Sequence, residues 1–401
     1  MIGLLLDSLS QNTGDQAILQ VMLQFLKGRG YEFEVLSPLG FTAEHYHPII
    51  IGGGHLIREK GDWYYDTFRV PGPHILNVPG VSASCDLGYL AEYSYVSVRS
   101  SRDRERVASA APTAVASPCV SLSLEPDRRA AASEEGSIGF HFHEQSWAAC
   151  GDDSLFREFR DYPQSLIPIT YYNGDYWLLR NLSDRIPVAH TLLPRLEPRG
   201  VLNEISRMRA LVCSSLHASI FAYSQNVPFI SFGFPDKIVE FMEDRGLQDW
   251  IFRDSRELRS KLAGLLNKPP DYSAALQRDL KKLDEHFKRL IDCLPKASVS
   301  GSHAASATTP AVEHKLLVEH HNRLAVLERI ADRLIATDER IEAAASRHDS
   351  RLNNLRRIVE QREGTERIGL PAPLAPGLSD LPFGSVEAPA PDSRVCGICE
   401  A

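Results

Sequence analysis

The chain has 401 residues, 43% hydrophobic and 24% charged, enough apolar material for two or three domain cores. A formal net charge of -8 excludes a global electrostatic pull toward nucleic acid or anionic lipid. No apolar stretch approaches the roughly 20 residues of a membrane-spanning helix, and seven scattered cysteines, an odd number, make no disulfide framework, which predicts a cytoplasmic protein.

The opening "MIGLLLDSLSQNTGDQAIL" has neither a basic leader nor a small-residue cleavage site, so Ile2 to Leu6 is expected to be a first buried strand. Asn12, Thr13 and Asp15 are cap-type residues around Gly14. They predict a helix whose free first-turn N–H groups point into a crevice, although a plain well-capped turn has the same sequence. "IIIGGGHLIR", Ile49 to Arg58, is a buried strand running into three glycines, where backbone amides can face an anion. It fits neither the dinucleotide nor the Walker pattern. In "YVSVRSSRDRERV", Arg99 stands closest to a strand end and suits bidentate phosphate or carboxylate binding, whereas Arg104 and Arg106 read as solvated helix charges.

The second half repeats the pattern. "SIGFHFH" places His141 and His143 at alternating positions on one expected strand face, as crevice-lining or structural residues. With no third ligand evident, a metal site is not expected. "ITYYNGDYWLL" offers Asn173 and Asp175 to sugar hydroxyls beside Tyr171, Tyr172 and Trp177, or builds an ordinary Asn-Gly turn. "RALVCSSLHASIFAYSQNVP" then sets His217 at a helix entry beside Ser214 and Ser215. The helix dipole disfavours a structural positive charge there, so the histidine is better suited to meeting an anion or moving a proton.

Short apolar runs separated by amphipathic stretches predict an α/β protein of two Rossmann-like domains, residues 1–130 and 131–294, with a site in the crevice at the strands' carboxyl ends. A small-residue linker is expected at 295–312. A heptad segment at 313–366, with Leu317, Leu324, Leu352 and Val359 among its a positions, predicts a coiled coil able to pair copies of the chain, and 367–401 reads as a Pro-rich disordered tail. In that tail "CGIC", Cys396 to Cys399, is a single C-x-x-C without a second pair and reads as exposed thiols.

"NTGDQAI", "IIGGGHLI", "SVRSSRD" and above all "SSLHASIFAYSQNVPFISFGFPDKIVEFMEDRGL" together resemble the polysaccharide pyruvyl transferase family, over about Met1 to Leu266. The resemblance implies a GT-B-like arrangement of the two domains and transfer of a pyruvyl group from phosphoenolpyruvate to a saccharide hydroxyl pair, forming a ketal without cofactor or metal. It implies His217 as acid or phosphate contact, Arg99 as anion clamp and Lys237 as crevice cation. Asn12, Gly14, Asp15, Gly53 and Gly54 would shape the opposite wall, and Ser214, Ser215 and Leu216 would line the substrate. One departure stands out: the arginine often found two residues before the histidine is Ser215 here, and a serine cannot replace a guanidinium. Glycosyl transfer from a nucleotide sugar, or a degenerate scaffold working through its coiled coil, are the competing expectations.

Overall fold

The computed structural model describes residues 1–295 apart from 9, 11, 39, 61, 63–64, 83–84, 127–135 and 170–174. The expected linker past Pro295, the coiled coil, the tail and Asn173 lie outside the described residues.

Two six-stranded parallel sheets carry the architecture. The first contains β1 (Ile2–Leu5), β2 (Phe33–Leu36), β3 (Ile49–Gly52), β4 (Ile75–Asn77), β5 (Tyr95–Val98) and β6 (Val115–Ala116), in the order β2-β1-β3-β4-β5-β6. The second contains β7 (Ile138–Phe140), β8 (Gln164–Leu166), β9 (Thr191–Leu192), β10 (Ala210–Cys213), β11 (Phe229–Phe232) and β12 (Ile251–Phe252), in the order β12-β11-β10-β7-β8-β9. β1, β3, β5, β10 and β11 are buried along their whole length, as continuous apolar runs covered on both faces should be. Edge strand β2 leaves Val35 exposed. In each sheet the strand order reverses once, between β1 and β3 and between β7 and β10, and the carboxyl ends at such reversals open a crevice.

Ten helices fill the connections among the described residues: α1 (Thr13–Lys27), α2 (Ser101–Val107), α3 (Glu144–Cys150), α4 (Ser154–Glu158), α5 (Asp175–Ser183), α6 (Pro198–Ile205), α7 (Leu216–Ser224), α8 (Asp236–Glu243), α9 (Ser255–Asn267) and α10 (Ser273–Asp292). α1 buries Ala17, Ile18, Val21, Met22, Phe25 and Leu26, one helical stripe. α7 is apolar all round and buried from Leu216 to Tyr223, as a helix enclosed on every side must be. One apolar cluster runs from Leu4, Ile18 and Met22 through Val120 and Leu122 to Phe221, Phe241 and Leu290, so the two sheets share a core along their seam.

α10 follows the second sheet in sequence yet packs on the first. Phe287 stacks on Phe25 at 4.6 Å, and His286 is buried between Tyr95 Oη, 2.9 Å from Nδ1, and Asn77 Oδ1, 2.8 Å from Nε2. Arg106, expected in solvent, instead bridges Asp103 at 2.7 Å and Glu240 of α8 at 2.8 Å. Glu240 is buried and takes a second hydrogen bond from Ser100 Oγ at 2.8 Å, which holds α2 against α8.

Replacing His286 by Leu strands the Tyr95 hydroxyl and the Asn77 carbonyl in the interior, so His286→Leu should lose about 2 to 4 kcal/mol in denaturant unfolding. A loss below about 0.5 kcal/mol would show that this pair does not anchor α10.

Candidate functional site

Both strand-order reversals deliver their loops to one place. From the first come Asn12 to Asp15 after β1 and Gly53 and Gly54 after β3; from the second come His143 after β7 and Ser214 to His217 after β10. Arg99 arrives from the end of β5 and Lys237 from the first turn of α8.

His217 is a contact between the two walls. Its imidazole lies directly on Gly14, where a β-carbon would overlap the ring, and its Nε2 is 3.9 Å from Cys119 Sγ. Only glycine therefore permits this approach of α7 to α1. Burial, then the Arg99 and Lys237 charges, push the His217 pKa down to about 3, so the ring is neutral at physiological pH.

The two cations are half-buried and not fully compensated. Lys237 forms no hydrogen bond or ion pair among the described residues, and burial followed by the Arg99 charge lowers its pKa to about 8. Arg99 donates through Nη1 to the Gly54 carbonyl at 3.3 Å, which aims the guanidinium but neutralises nothing. The neighbouring carboxylate, Asp15, is itself raised to about 6, chiefly by burial and then by Asp7, while Ser10 Oγ donates to its Oδ2 at 2.8 Å. A pair of cations with a weakened counter-charge is a receptor for an anion.

Several expected residues take other duties. Two first-turn amides of α1 are taken: Gly14 N–H donates to the cap, Asn12 Oδ1, at 2.8 Å, and Thr13 N–H to the Ile169 carbonyl at 3.2 Å. Gly53 N–H likewise donates to the Asn77 carbonyl at 3.2 Å. Ser215 Oγ caps α7 by accepting from Ala218 N–H at 3.3 Å, and the Leu216 side chain belongs to the core. Ser214 Oγ is buried without a hydrogen-bond partner among the described residues. Asp175, expected to face sugar hydroxyls, is fully buried, with Oδ2 3.8 Å from His141 Nε2.

The two histidines after β7 part company, because the strand ends at Phe140 and its alternation ends with it. His141 turns toward β8, with Nδ1 3.1 Å from the Ile167 carbonyl, and burial lowers its pKa to about 3. His143 turns toward β11, caps α3 through Nδ1 and stands edge-on to Phe232. Burial, and to a lesser degree the Lys237 charge, lowers its pKa, so His143 borders the site.

His55, Gly80 and Cys119 belong to the site and were not singled out by sequence. His55 follows the glycine triplet directly, a legible signal; Gly80 and Cys119 reach the site only through the packing of the loops after β4 and β6. A solvent-open groove is lined by Arg99 together with Asp244, Arg245, Asp279 and Lys282. Arg245 and Asp279 already pair there at 2.8 Å.

The family model described as polysaccharide pyruvyl transferase matches residues 12–234. No curated protein matches the chain significantly in sequence. Among solved structures, HepE of Anabaena in complex with UDP and glucose is similar at 12% identity and a TM-score of 0.47, over 73% of this chain and 100% of that one. An O-GlcNAc transferase mutant from Thermobaculum terrenum is similar at 12% identity and a TM-score of 0.37, over 80% of this chain and 68% of that one. The UDP-GlcNAc 2-epimerase of Neisseria meningitidis bound to UDP-GlcNAc is similar at 8% identity and a TM-score of 0.43, over 73% and 98%.

The ring-on-glycine contact generates a double-mutant test. Gly14→Ala alone should destabilise the protein by about 1 to 3 kcal/mol through overpacking against His217. Adding His217→Ala should recover most of that loss, and a strictly additive cycle would contradict the contact.

Proposed function

The chain belongs to the polysaccharide pyruvyl transferase family, and on that premise we propose that it transfers the pyruvyl group of phosphoenolpyruvate to two hydroxyls of a saccharide, forming a ketal and releasing phosphate. The observation that carries this reading is the convergence of half-buried Arg99 and Lys237 and a neutral, buried His217 in a seam with too little negative charge of its own.

Phosphoenolpyruvate brings both a phosphate and a carboxylate. Arg99 offers a planar fork to one of them and Lys237 a point charge to the other, so the Arg99–Lys237 pair does the work that the family's usual arginine, Ser215 here, would share. Arrival of the anion reverses the electrostatics around His217: the charges that kept the ring neutral are now paired, and its proton affinity rises. The imidazolium then gives its proton to the methylene carbon, which becomes a methyl group, and leaves an oxocarbenium-like centre at the enol carbon.

A first saccharide hydroxyl adds to that centre and releases its proton. The carbon–oxygen bond to phosphate breaks, and the second hydroxyl closes the ketal. One of the two hydroxyl protons balances the proton placed on the methyl group; the other leaves with phosphate. Asp15, whose pKa of about 6 lies near neutrality, is suited to receive a hydroxyl proton.

Lys237 sets a calorimetric signature. With its pKa near 8 it is about half protonated at pH 8, and an anion restores the ammonium, so binding must take up protons. Titration of the full chain with phosphoenolpyruvate at pH 8, in two buffers of different ionisation enthalpy, should show uptake of up to about half a proton from this residue. Lys237→Met should abolish that uptake and weaken binding. Binding of a nucleotide sugar with none of phosphoenolpyruvate would point to glycosyl transfer, and binding of neither to a scaffold.

A further inference from the structure

His55 presents a hydrogen-bonding edge that the mechanism above leaves unused. Its backbone is held beside β4, with Gly80 N–H donating to the Gly54 carbonyl at 2.9 Å and Ile57 N–H to the Gly80 carbonyl at 3.3 Å. One ring nitrogen, Nε2, lies 3.1 Å from Ser82 Oγ. The other, Nδ1, is buried and has no hydrogen-bond partner among the described residues. A β-carbon on Gly80 would overlap both Arg99 Nη2 and His55 Nδ1, so the guanidinium and the imidazole edge close on the same point of backbone.

That neighbour decides the tautomer. An N–H at Nδ1 would turn its positive end toward the guanidinium, whereas a lone pair there is attracted to it. The proton therefore sits on Nε2 and is donated to Ser82 Oγ, and Nδ1 keeps an unmatched lone pair beside the anion clamp. A deprotonated phosphate or carboxylate oxygen has no hydrogen to offer such a lone pair; a hydroxyl does.

We infer that His55 is a saccharide-binding residue, whose Nδ1 accepts a hydrogen bond from an acceptor hydroxyl held next to the anion on Arg99. The identity of the acceptor rests on the pyruvyl-transfer reading; the tautomer does not. The consequence is selectivity, because a buried acceptor satisfied only by a correctly placed hydroxyl discriminates against sugars that lack one there.

Long-range proton–nitrogen NMR on the full chain, with His55→Asn assigning the resonances, should show the Nε2-protonated neutral ring at pH 7. An Nδ1-protonated ring or an imidazolium overturns the inference. Kinetics with phosphoenolpyruvate and a panel of methyl hexopyranosides supply the second readout. His55→Leu should raise the saccharide KM by about tenfold or more while the phosphoenolpyruvate KM changes by less than about threefold. His55→Asn, whose Oδ1 stands near the place of Nδ1, should recover most of that loss. A rise confined to the phosphoenolpyruvate KM, or no change in either, also overturns it. If the wild type consumes no phosphoenolpyruvate, the pyruvyl-transfer reading fails on its own, and the His55 assignment is decided by the tautomer and by whether methyl hexopyranosides shift the Nδ1 resonance.

Discussion

The site depends on one electrostatic constraint: two cations are drawn partly out of water where the two sheets meet, and no carboxylate stands within ion-pair distance of Lys237 among the described residues. Burial of unpaired charge is costly, and the protein absorbs that cost by shifting protons. Lys237 loses affinity for its proton, His217 stays neutral, and Asp15 is pushed toward neutrality. On the proposed reading, an arriving anion would relieve all of this except the Asp15 shift, which it would increase. Binding free energy and proton placement are thus coupled through the same few groups.

The fold places that constraint. Each sheet reverses its strand order once, and the loops from both reversals reach His217 and its neighbours. Gly14 is what lets them close: the α7 histidine rests on α1 with no side chain between. Away from the crevice the seam combines the shared apolar cluster that includes Val120, Phe221 and Leu290 with the Arg106–Glu240 bridge between α2 and α8, and α10 ties the second half back onto the first through His286. The surrounding core makes the seam a fixed frame, so the position of the cations does not have to be recovered on each binding event.

Much of this was legible in the sequence. The apolar runs at Ile2–Leu5, Ile49–Gly52, Tyr95–Val98, Ala210–Cys213 and Phe229–Phe232 are strands, because strands buried on both faces carry few polar positions to dilute the signal. Val115–Ala116, Thr191–Leu192 and Ile251–Phe252 escaped notice, since a two-residue strand has no period to read. The placement of His217 at a helix entry was legible; that Asn12 spends its side chain on capping was legible only as a rival reading, and the same role of Ser215 was not read at all. Asp175 misled because a polar residue after a strand looks exposed until the packing around His141 is known. Gly80 and Cys119 carry no local pattern at all, because their roles come from loops meeting across the fold.

The most direct measurement follows the enol carbon itself. The full chain is incubated with phosphoenolpyruvate isotopically labelled at that carbon and with a saccharide panel, and the carbon is observed by NMR beside phosphate release. The account predicts a new quaternary ketal signal that appears in step with phosphate and vanishes in His217→Ala. Phosphoenolpyruvate left intact across the panel, with a nucleotide sugar consumed in its place, would contradict it.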